Sequence, residues 1–213
     1  RRHTRYWRDW SSDVCSSDLR LSSAVIACGA IATHIKNLIE REQLDLVIYP
    51  LPPLLHNHPE KIAGEVEAKI KELQPKYAKL AVAYADCGTY GQLDQVLSKY
   101  AVARLRGNHC YDLFAGSDRV NQLTSEGTFF LTDYLVKGFH RSVIVELGLD
   151  RHPEIRDDYF KNYRKVVWLA QQPTKELEIA AQAAADLLQL PLEIENVGES
   201  GLLDELKRLL DHI

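Results

Sequence analysis

Three cysteines and three histidines fall at comparable places in the chain, each just past a short apolar run. Cys28 closes Ser23–Cys28 (SAVIAC) and precedes Gly29. His56 and His58 follow Leu44–Leu51 (LDLVIYPL) and its two trailing prolines. Cys87 follows Leu80–Ala85, and Cys110, beside His109, follows Ala101–Leu105. Thiolate and imidazole suit zinc, iron or an iron–sulfur cluster. Three thiolates and one imidazole would make a tetrahedral zinc site with Zn–S distances of about 2.3 Å. Three thiolates alone would leave a position open for substrate, with the ion as Lewis acid. The spacing is not C-x-x-C, so the signal lies in the constellation rather than in a motif. A lone cysteine at a strand end is ordinarily a small buried hydrophobe. The concurrence at four successive strand ends is what argues for a shared site. The expected ligands are Cys28, His56, Cys87 and Cys110, with zinc as the ion. An iron–sulfur cluster on the three cysteines is the alternative. A non-catalytic binding module with structural cysteines is the second.

Neighbouring residues have candidate roles. Asp86 beside Cys87 and His109 beside Cys110 are candidates for proton transfer. Asn57, Gly88 and Thr89 flank the expected ligands and are candidates for holding a small molecule. Arg151 and His152, at a helix start before Pro153, would suit an anionic ligand. Glu126, Thr128 and Asp133 are further candidates for a pocket wall. The glycine turns at 28–30 and 87–91 lack the spacing of a dinucleotide fingerprint or a phosphate loop, so a nucleotide is not expected.

The elements that must position these residues follow from hydrophobic period. Continuous apolar runs mark buried strands at Ser23–Cys28, Leu44–Leu51, Leu80–Ala85, Ala101–Leu105, Val166–Ala170 and Leu192–Val197. Helical spacing runs through Ile31, Ile35, Leu38 and Ile39, and through Ile62, Val66, Ile70 and Leu73 behind Pro59, a residue tolerated at a helix's first position. Leu93, Val96 and Leu97 mark a third helix. Phe129–Leu131 reads as a short strand or as the start of a helix over Leu135–Leu147. Pro153 opens a helix through Tyr159, Phe160 and Tyr163, an aromatic cluster that, with Trp168, reads as core or interface. Leu177 to Leu188 and Leu202 to Leu210 close the chain with two amphipathic helices. Strands alternating with helices predict an α/β fold: a doubly wound, mostly parallel sheet with helices on both faces, Rossmann- or flavodoxin-like, in one domain. A division into two lobes would fall at Gly116–Gly127. In such sheets ligands bind outside the carboxyl ends of the strands, where the cysteines fall.

Composition limits the function classes. The 213 residues are 46 % hydrophobic and 26 % charged, which is globular composition. The net charge of −4 argues against a nucleic-acid partner, and no apolar run is long enough to span a membrane. The first 19 residues stand apart. Their segment Asp9–Leu19 (DWSSDVCSSDL) back-translates into a common sequencing-library adapter, and the chain has no methionine. We read residues 1–19 as adapter translated in frame, expect them to be disordered, and take residues 20–213 as the α/β domain. Removing the segment's four arginines and three aspartates moves the net charge to −5 and leaves three cysteines. An odd count without a secretion signal argues against a disulfide framework and for the reducing cytoplasm.

Several blocks carry a resemblance: Ile26–Gly29 (IACG), Leu55–Ile62 (LHNHPEKI), Tyr84–Thr89 (YADCGT), Gly107–Gly116 (GNHCYDLFAG), Gly127–Asp133 (GTFFLTD) and Leu149–Tyr163 (LDRHPEIRDDYFKNY). In this order, from about Ala24 to the C-terminus, they resemble the family called domain of unknown function 1638 (DUF1638). The matching site positions are Cys28, His56, Asn57, Cys87, Gly88 and Cys110. Many relatives carry Asp before the last cysteine where this chain has His109, which weakens His109 as an essential ligand. The resemblance implies no established activity. It does imply one-carbon metabolism near corrinoid-dependent methyl transfer, with a corrinoid protein or its methyltransferase as partner and a small molecule as ligand.

Overall fold

The computed structural model describes residues 21–211. The expected adapter segment, residues 1–19, lies outside them. The first half forms a parallel sheet from β1 (Leu21–Cys28), β2 (Val47–Leu51), β3 (Tyr77–Ala83) and β4 (Ala103–Arg104), in the order β2-β1-β3-β4. Its crossovers carry α1 (Ala32–Glu42), α2 (Pro59–Leu73) and α3 (Gln92–Tyr100). Two short helices follow, α4 (Asp112–Ala115) and α5 (Ser117–Ser125). The second half forms another parallel sheet, β5 (Thr128–Thr132), β6 (Lys165–Ala170) and β7 (Leu192–Asn196), in the order β5-β6-β7. Between β5 and β6 lie α6 (Asp133–Phe139), its π-helical continuation His140–Val145, a 3-10 turn Pro153–Ile155 and α7 (Arg156–Phe160). Helix α8 (Lys175–Leu188) joins β6 to β7, and α9 (Ser200–Asp211) ends the described chain.

The α/β class and the parallel strands are as expected from sequence. The strands divide between two sheets instead of forming one, and the division falls between β4 and β5, across the Gly116–Gly127 stretch. The core shows how the two halves are joined. Leu202, Leu206 and Leu209 of α9 are fully buried with the apolar residues of the first sheet, although α9 follows the last strand of the second. The C-terminal helix therefore returns to the first lobe and takes up space on a face of its sheet. Gly201 permits this close approach: a Cβ there would stand 2.5 Å from the Leu113 carbonyl oxygen of α4. The second sheet has its own core on each face. Leu131, Val136, Trp168 and Ala181 belong to one, and Val120, Leu123, Phe130 and Val167 to the other.

Local chemistry sets the element ends. Pro59 stands at the first position of α2, and Glu60 in its first turn complements the helix dipole. Thr174 caps α8 by accepting a hydrogen bond from the Leu177 N–H at 3.2 Å, with Glu176 and Glu178 in the first turn. Phe129–Leu131 proves to be strand, and the helix begins only at Asp133.

Asp133 is the main polar tie of the second lobe. It is buried, and its carboxylate accepts hydrogen bonds from Trp168 Nε1 at 2.9 Å, the Gln171 N–H at 3.1 Å and the Gln172 N–H at 2.8 Å. Its own N–H donates to Gln171 Oε1 at 2.8 Å. The start of α6 is thereby fixed to the end of β6. Asp133→Ala would leave two buried donors, Trp168 Nε1 and the Gln171 N–H, and the half-buried Gln172 N–H without an acceptor, at a cost of about 1–3 kcal/mol for each buried one that finds no substitute. We expect Asp133→Ala to lower the free energy of urea unfolding by roughly 3 kcal/mol. A change below about 0.5 kcal/mol would show that the tie contributes nothing net.

Candidate functional site

The loops leaving the carboxyl ends of β1, β2, β3 and β4 collect on one side of the first sheet. Opposite them stand β5 and the run from α6 through its π-helical continuation. Between the two is a cleft of about 470 Å³, within the usual size range of small-molecule sites. Ala30, His56, Asn57, Cys87, Gly88, His109 and Cys110 form the first wall. Phe129, Phe130, Leu135, Val143 and Leu147 form much of the second. Tyr111, on the first wall, stacks on Phe130 of the second at 4.9 Å between ring centroids, which joins the walls at one end.

Backbone packing brings the cysteine loops together. Gly29 lies against the chain leaving β2: a Cβ there would stand 2.3 Å from the Leu51 carbonyl oxygen and 2.7 Å from the Pro53 nitrogen. This approach carries the His56 loop up to Cys28. The sulfur stands 3.7 Å from His56 Nδ1 and 3.8 Å from Nε2. His56 Nδ1 also lies 3.3 Å from the Pro53 carbonyl oxygen. That carbonyl can only accept, so the bond favours the tautomer with hydrogen on Nδ1 and a free lone pair on Nε2. The Cys87 and Cys110 loops are paired by the backbone. The Asp86 N–H donates to the Gly107 carbonyl at 3.1 Å, and the Cys87 N–H to the Asn108 carbonyl at 2.8 Å. Cys87 takes a left-handed backbone conformation, φ 51°, to make this pairing. That conformation is uncommon for a residue with a side chain and is concentrated at functional sites.

The three thiols sense one another. All three cysteines are free. Burial pushes the Cys28 thiol up to about 11, against partial relief from the Ala30 and Ile31 N–H groups. The Ala30 N–H lies 3.4 Å from the sulfur. Burial, then the neighbouring Cys28, pushes Cys87 up to about 12, with the Ala85 and Cys110 amides acting in the opposite sense. Cys110 is raised by burial and by both other thiols. Burial likewise lowers the His56 pKa, with a smaller push from His109, so this ring is neutral at pH 7. Tyr84 lies buried behind His56. It stacks on His56 at 6.1 Å, and its buried hydroxyl finds no partner of hydrogen-bond length, although Cys28 lies close enough for each group to shift the other. At neutral pH the groups are thus thiols and neutral imidazole, with the Ala30 N–H already directed at the Cys28 sulfur. Among the described residues, no three His, Cys, Asp or Glu side chains stand together at ligating distance.

The other expected residues divide. Asn57, Gly88 and His109 line the cleft, and His109 stacks on Tyr111 at 6.2 Å. Asp86 does not. Its carboxylate accepts from the Thr89 hydroxyl at 2.8 Å and from the Tyr90 and Gly91 N–H groups at 3.0 and 2.9 Å. Burial alone would raise this carboxyl; those bonds and the charge of Arg104 outweigh burial and hold it below the usual range. Asp86 shapes the loop behind Cys87, and Thr89 is turned inward to it. Arg151 and His152 are exposed, pair with Asp150 and Glu154, and form no part of the walls. Of the remaining wall candidates, Glu126 pairs with Lys165, Thr128 is buried in β5 and Asp133 in the second lobe. The polar wall residue in β5 is Thr132, beside Phe129 and Phe130. Phe160 and Trp168 are core, as read, while Tyr159 stays half exposed. Sequence reasoning missed the apolar wall. Its signal was present in the spacing of Leu135, Val143 and Leu147, but an apolar stripe reads as core until its neighbours are known.

Fold and site together define a two-sheet parallel α/β protein with a thiol-rich cleft at the strand ends. The chain belongs to the family described as "Protein of unknown function (DUF1638)", whose model matches residues 50–210. His56, Cys87 and Cys110 lie inside the matched range, and Cys28 lies before it. Neither the curated proteins nor the solved structures give a match.

Two outcomes follow from this packing. Gly29→Ala would force the Leu51–Pro53 backbone away from β1 and separate Cys28 from His56. We expect it to destabilise the fold by at least about 1 kcal/mol, within the range for overpacked sites; an unchanged urea midpoint would contradict the close approach. The second concerns pH. A cysteine in the unfolded chain loses its proton near 9.0, whereas Cys28 holds its own to about 11 and Cys87 to about 12. Between those values the unfolded chain binds fewer protons, so their contribution is intact below pH 9 and lost as pH rises through 11–12. Cys28 alone corresponds to roughly 3 kcal/mol across its window. Urea unfolding from pH 8 to 11 should show this decline, and Cys28→Ala should flatten it.

Proposed function

We propose that this chain is a zinc-binding protein of one-carbon metabolism. In this reading Cys28, Cys87 and Cys110 are the thiolate ligands and His56 the fourth ligand. The observation that carries it is the meeting of Cys28 with His56, at 3.7 Å, just behind the two cleft-lining thiols Cys87 and Cys110, with the Ala30 N–H directed at the Cys28 sulfur. Purely packing cysteines have no need of such donors, whereas thiolates bound to a metal are stabilised by them. The tautomer favoured by the Pro53 carbonyl leaves His56 Nε2 as the free donor. Bringing the side chains into a tetrahedron requires side-chain rotation, and the ion must displace thiol protons held by burial. Zinc uptake at pH 7 should therefore release about three protons per ion, one for each thiol.

The ion would act as Lewis acid. A substrate thiol entering in place of His56 would lose its proton and become a nucleophile able to accept a methyl group. A corrinoid protein or its methyltransferase would be the methyl donor, in keeping with the family resemblance, and a reducing cytoplasm would keep the thiols free. No helix among the described residues is long and apolar enough to cross a membrane.

The test is metal content by mass spectrometry, with a visible spectrum, after anaerobic purification and zinc loading. The reading predicts one zinc per chain, no colour, and at least a hundredfold weaker binding in Cys87→Ser and Cys110→Ser. Iron with sulfide absorption would replace it with the three-cysteine cluster. A folded, metal-free chain whose variants behave like the parent would return the cysteines to packing and the protein to a non-catalytic binding module.

A further inference from the structure

The lining of the cleft differs from the rest of the chain in its charge. Among the described residues that form it, none is Lys, Arg, Asp or Glu, although 26 % of the whole sequence is charged. An ionised group that enters a cleft gives up hydration and needs a partner of opposite charge to recover it. A phosphate, sulfonate or carboxylate here would find no lysine or arginine in the described wall. The side-chain nitrogens there that could carry a positive charge belong to His56 and His109. An imidazole with an ordinary pKa, about 6.5, is neutral at pH 8.

What the wall offers instead is apolar surface. Phe129, Leu135 and Leu147 pack on the second-lobe core but are only partly buried, so each leaves apolar surface open to the cleft. Leu54 stands partly buried in the facing wall. Phe129 is held by edge contacts with Phe160 and Tyr163, each at 5.4 Å between ring centroids, which fixes the ring in place. Covering such surface releases the water that lies against it. Neutral polar groups accompany it. Asn57, Tyr134 and Ser142 line the cleft, and their side chains make no hydrogen bond among the described residues. Thr132 differs, because its hydroxyl accepts from the Leu135 N–H at 3.4 Å. Ser142 and Val143 belong to the π-helical continuation of α6, a rare kind of segment that recurs at functional sites.

We propose that this cleft binds a small, uncharged molecule with an apolar ring, and does so without a metal ion. The ring packs among Phe129, Leu135 and Leu147 on one side and against Leu54 on the other. The molecule's few polar atoms meet the Asn57 amide and the Tyr134 and Ser142 hydroxyls. A ring suits this wall because Phe129, Phe130 and Tyr111 present ring faces and edges to it. A cleft of about 470 Å³ holds one such molecule and covers most of its surface. Binding forms and breaks no covalent bond. None of these groups is a ligand in the zinc reading, so the two stand or fall separately.

The experiment titrates two fluorescent probes into the full chain at pH 8 with a chelator present. N-phenyl-1-naphthylamine is uncharged, and 8-anilino-1-naphthalenesulfonate has the same rings with one added sulfonate. Both brighten when they leave water. The uncharged probe should bind at least tenfold more tightly than the sulfonate. Leu147→Lys should weaken the uncharged probe at least tenfold. Asn57→Lys, at an exposed position where the fold tolerates a charge, should narrow the preference by strengthening the sulfonate severalfold. Leu187→Lys, at an exposed position of α8 outside the cleft, should change neither probe. Equal or tighter binding of the sulfonate by the parent chain would overturn the ligand class. Binding of neither probe, by a chain that is folded by circular dichroism, would overturn the site. So would binding of the uncharged probe that both cleft variants leave unchanged. Because the chelator is present throughout, a failure here leaves the zinc reading standing, and a chain that takes up no zinc leaves this proposal standing.

Discussion

A parallel sheet sends every carboxyl end to the same edge. The rest of this molecule depends on that constraint. Because β1, β2, β3 and β4 run in one direction, the residues that follow them have to meet, whatever their distance in sequence. His56, Cys87 and Cys110 line one cleft although they are spread over more than fifty positions, and Cys28, buried behind it, lies 3.7 Å from His56. The loops then need fine adjustment, and the backbone provides it. Gly29 allows β1 to touch the chain after β2, and Asp86 and Cys87 bond to Gly107 and Asn108 across the gap between β3 and β4.

The second lobe supplies the other half of the site by different means. Its strand β5 and helix α6 face the cysteine loops, and their relation is fixed by the buried Asp133 carboxylate rather than by hydrophobic packing alone. Helix α9 then returns to the first sheet and ties the two lobes through its leucines. The hydrogen bond between His34 Nδ1 and Glu199, at 2.6 Å, is buried where this return begins, and Arg41 adds a bond to the same carboxylate. The cleft lies between two sheets whose halves are joined by the leucines of α9 and by the Glu199 bonds to His34 and Arg41.

Much of this was legible in the sequence, for physical reasons. Apolar period located the strands and helices because burial on one or both faces leaves a trace at every turn. The strand-end positions of the cysteines and His56 were legible because strand ends are marked by Gly and Pro in the sequence itself. The division into two sheets was not legible. A run such as Thr128–Thr132 is apolar whether it extends one sheet or starts another, and only its tertiary pairing with β6 decides the matter. The role of Asp86 was hidden because its partners, the Thr89 hydroxyl and two backbone N–H groups, are chosen by the fold of a five-residue loop. The exposure of Arg151 and His152, and the absence of charge from the cleft lining, belong to the same class. They depend on how elements far apart in sequence are placed against one another.

The central claim is that three thiolates and one imidazole share one ion. Zinc X-ray absorption spectroscopy on the zinc-loaded chain tests it most directly. The account predicts three sulfur scatterers at about 2.3 Å and one nitrogen at about 2.0 Å, with the sulfur count falling by one in Cys87→Ser. A first shell made only of nitrogen and oxygen would contradict it.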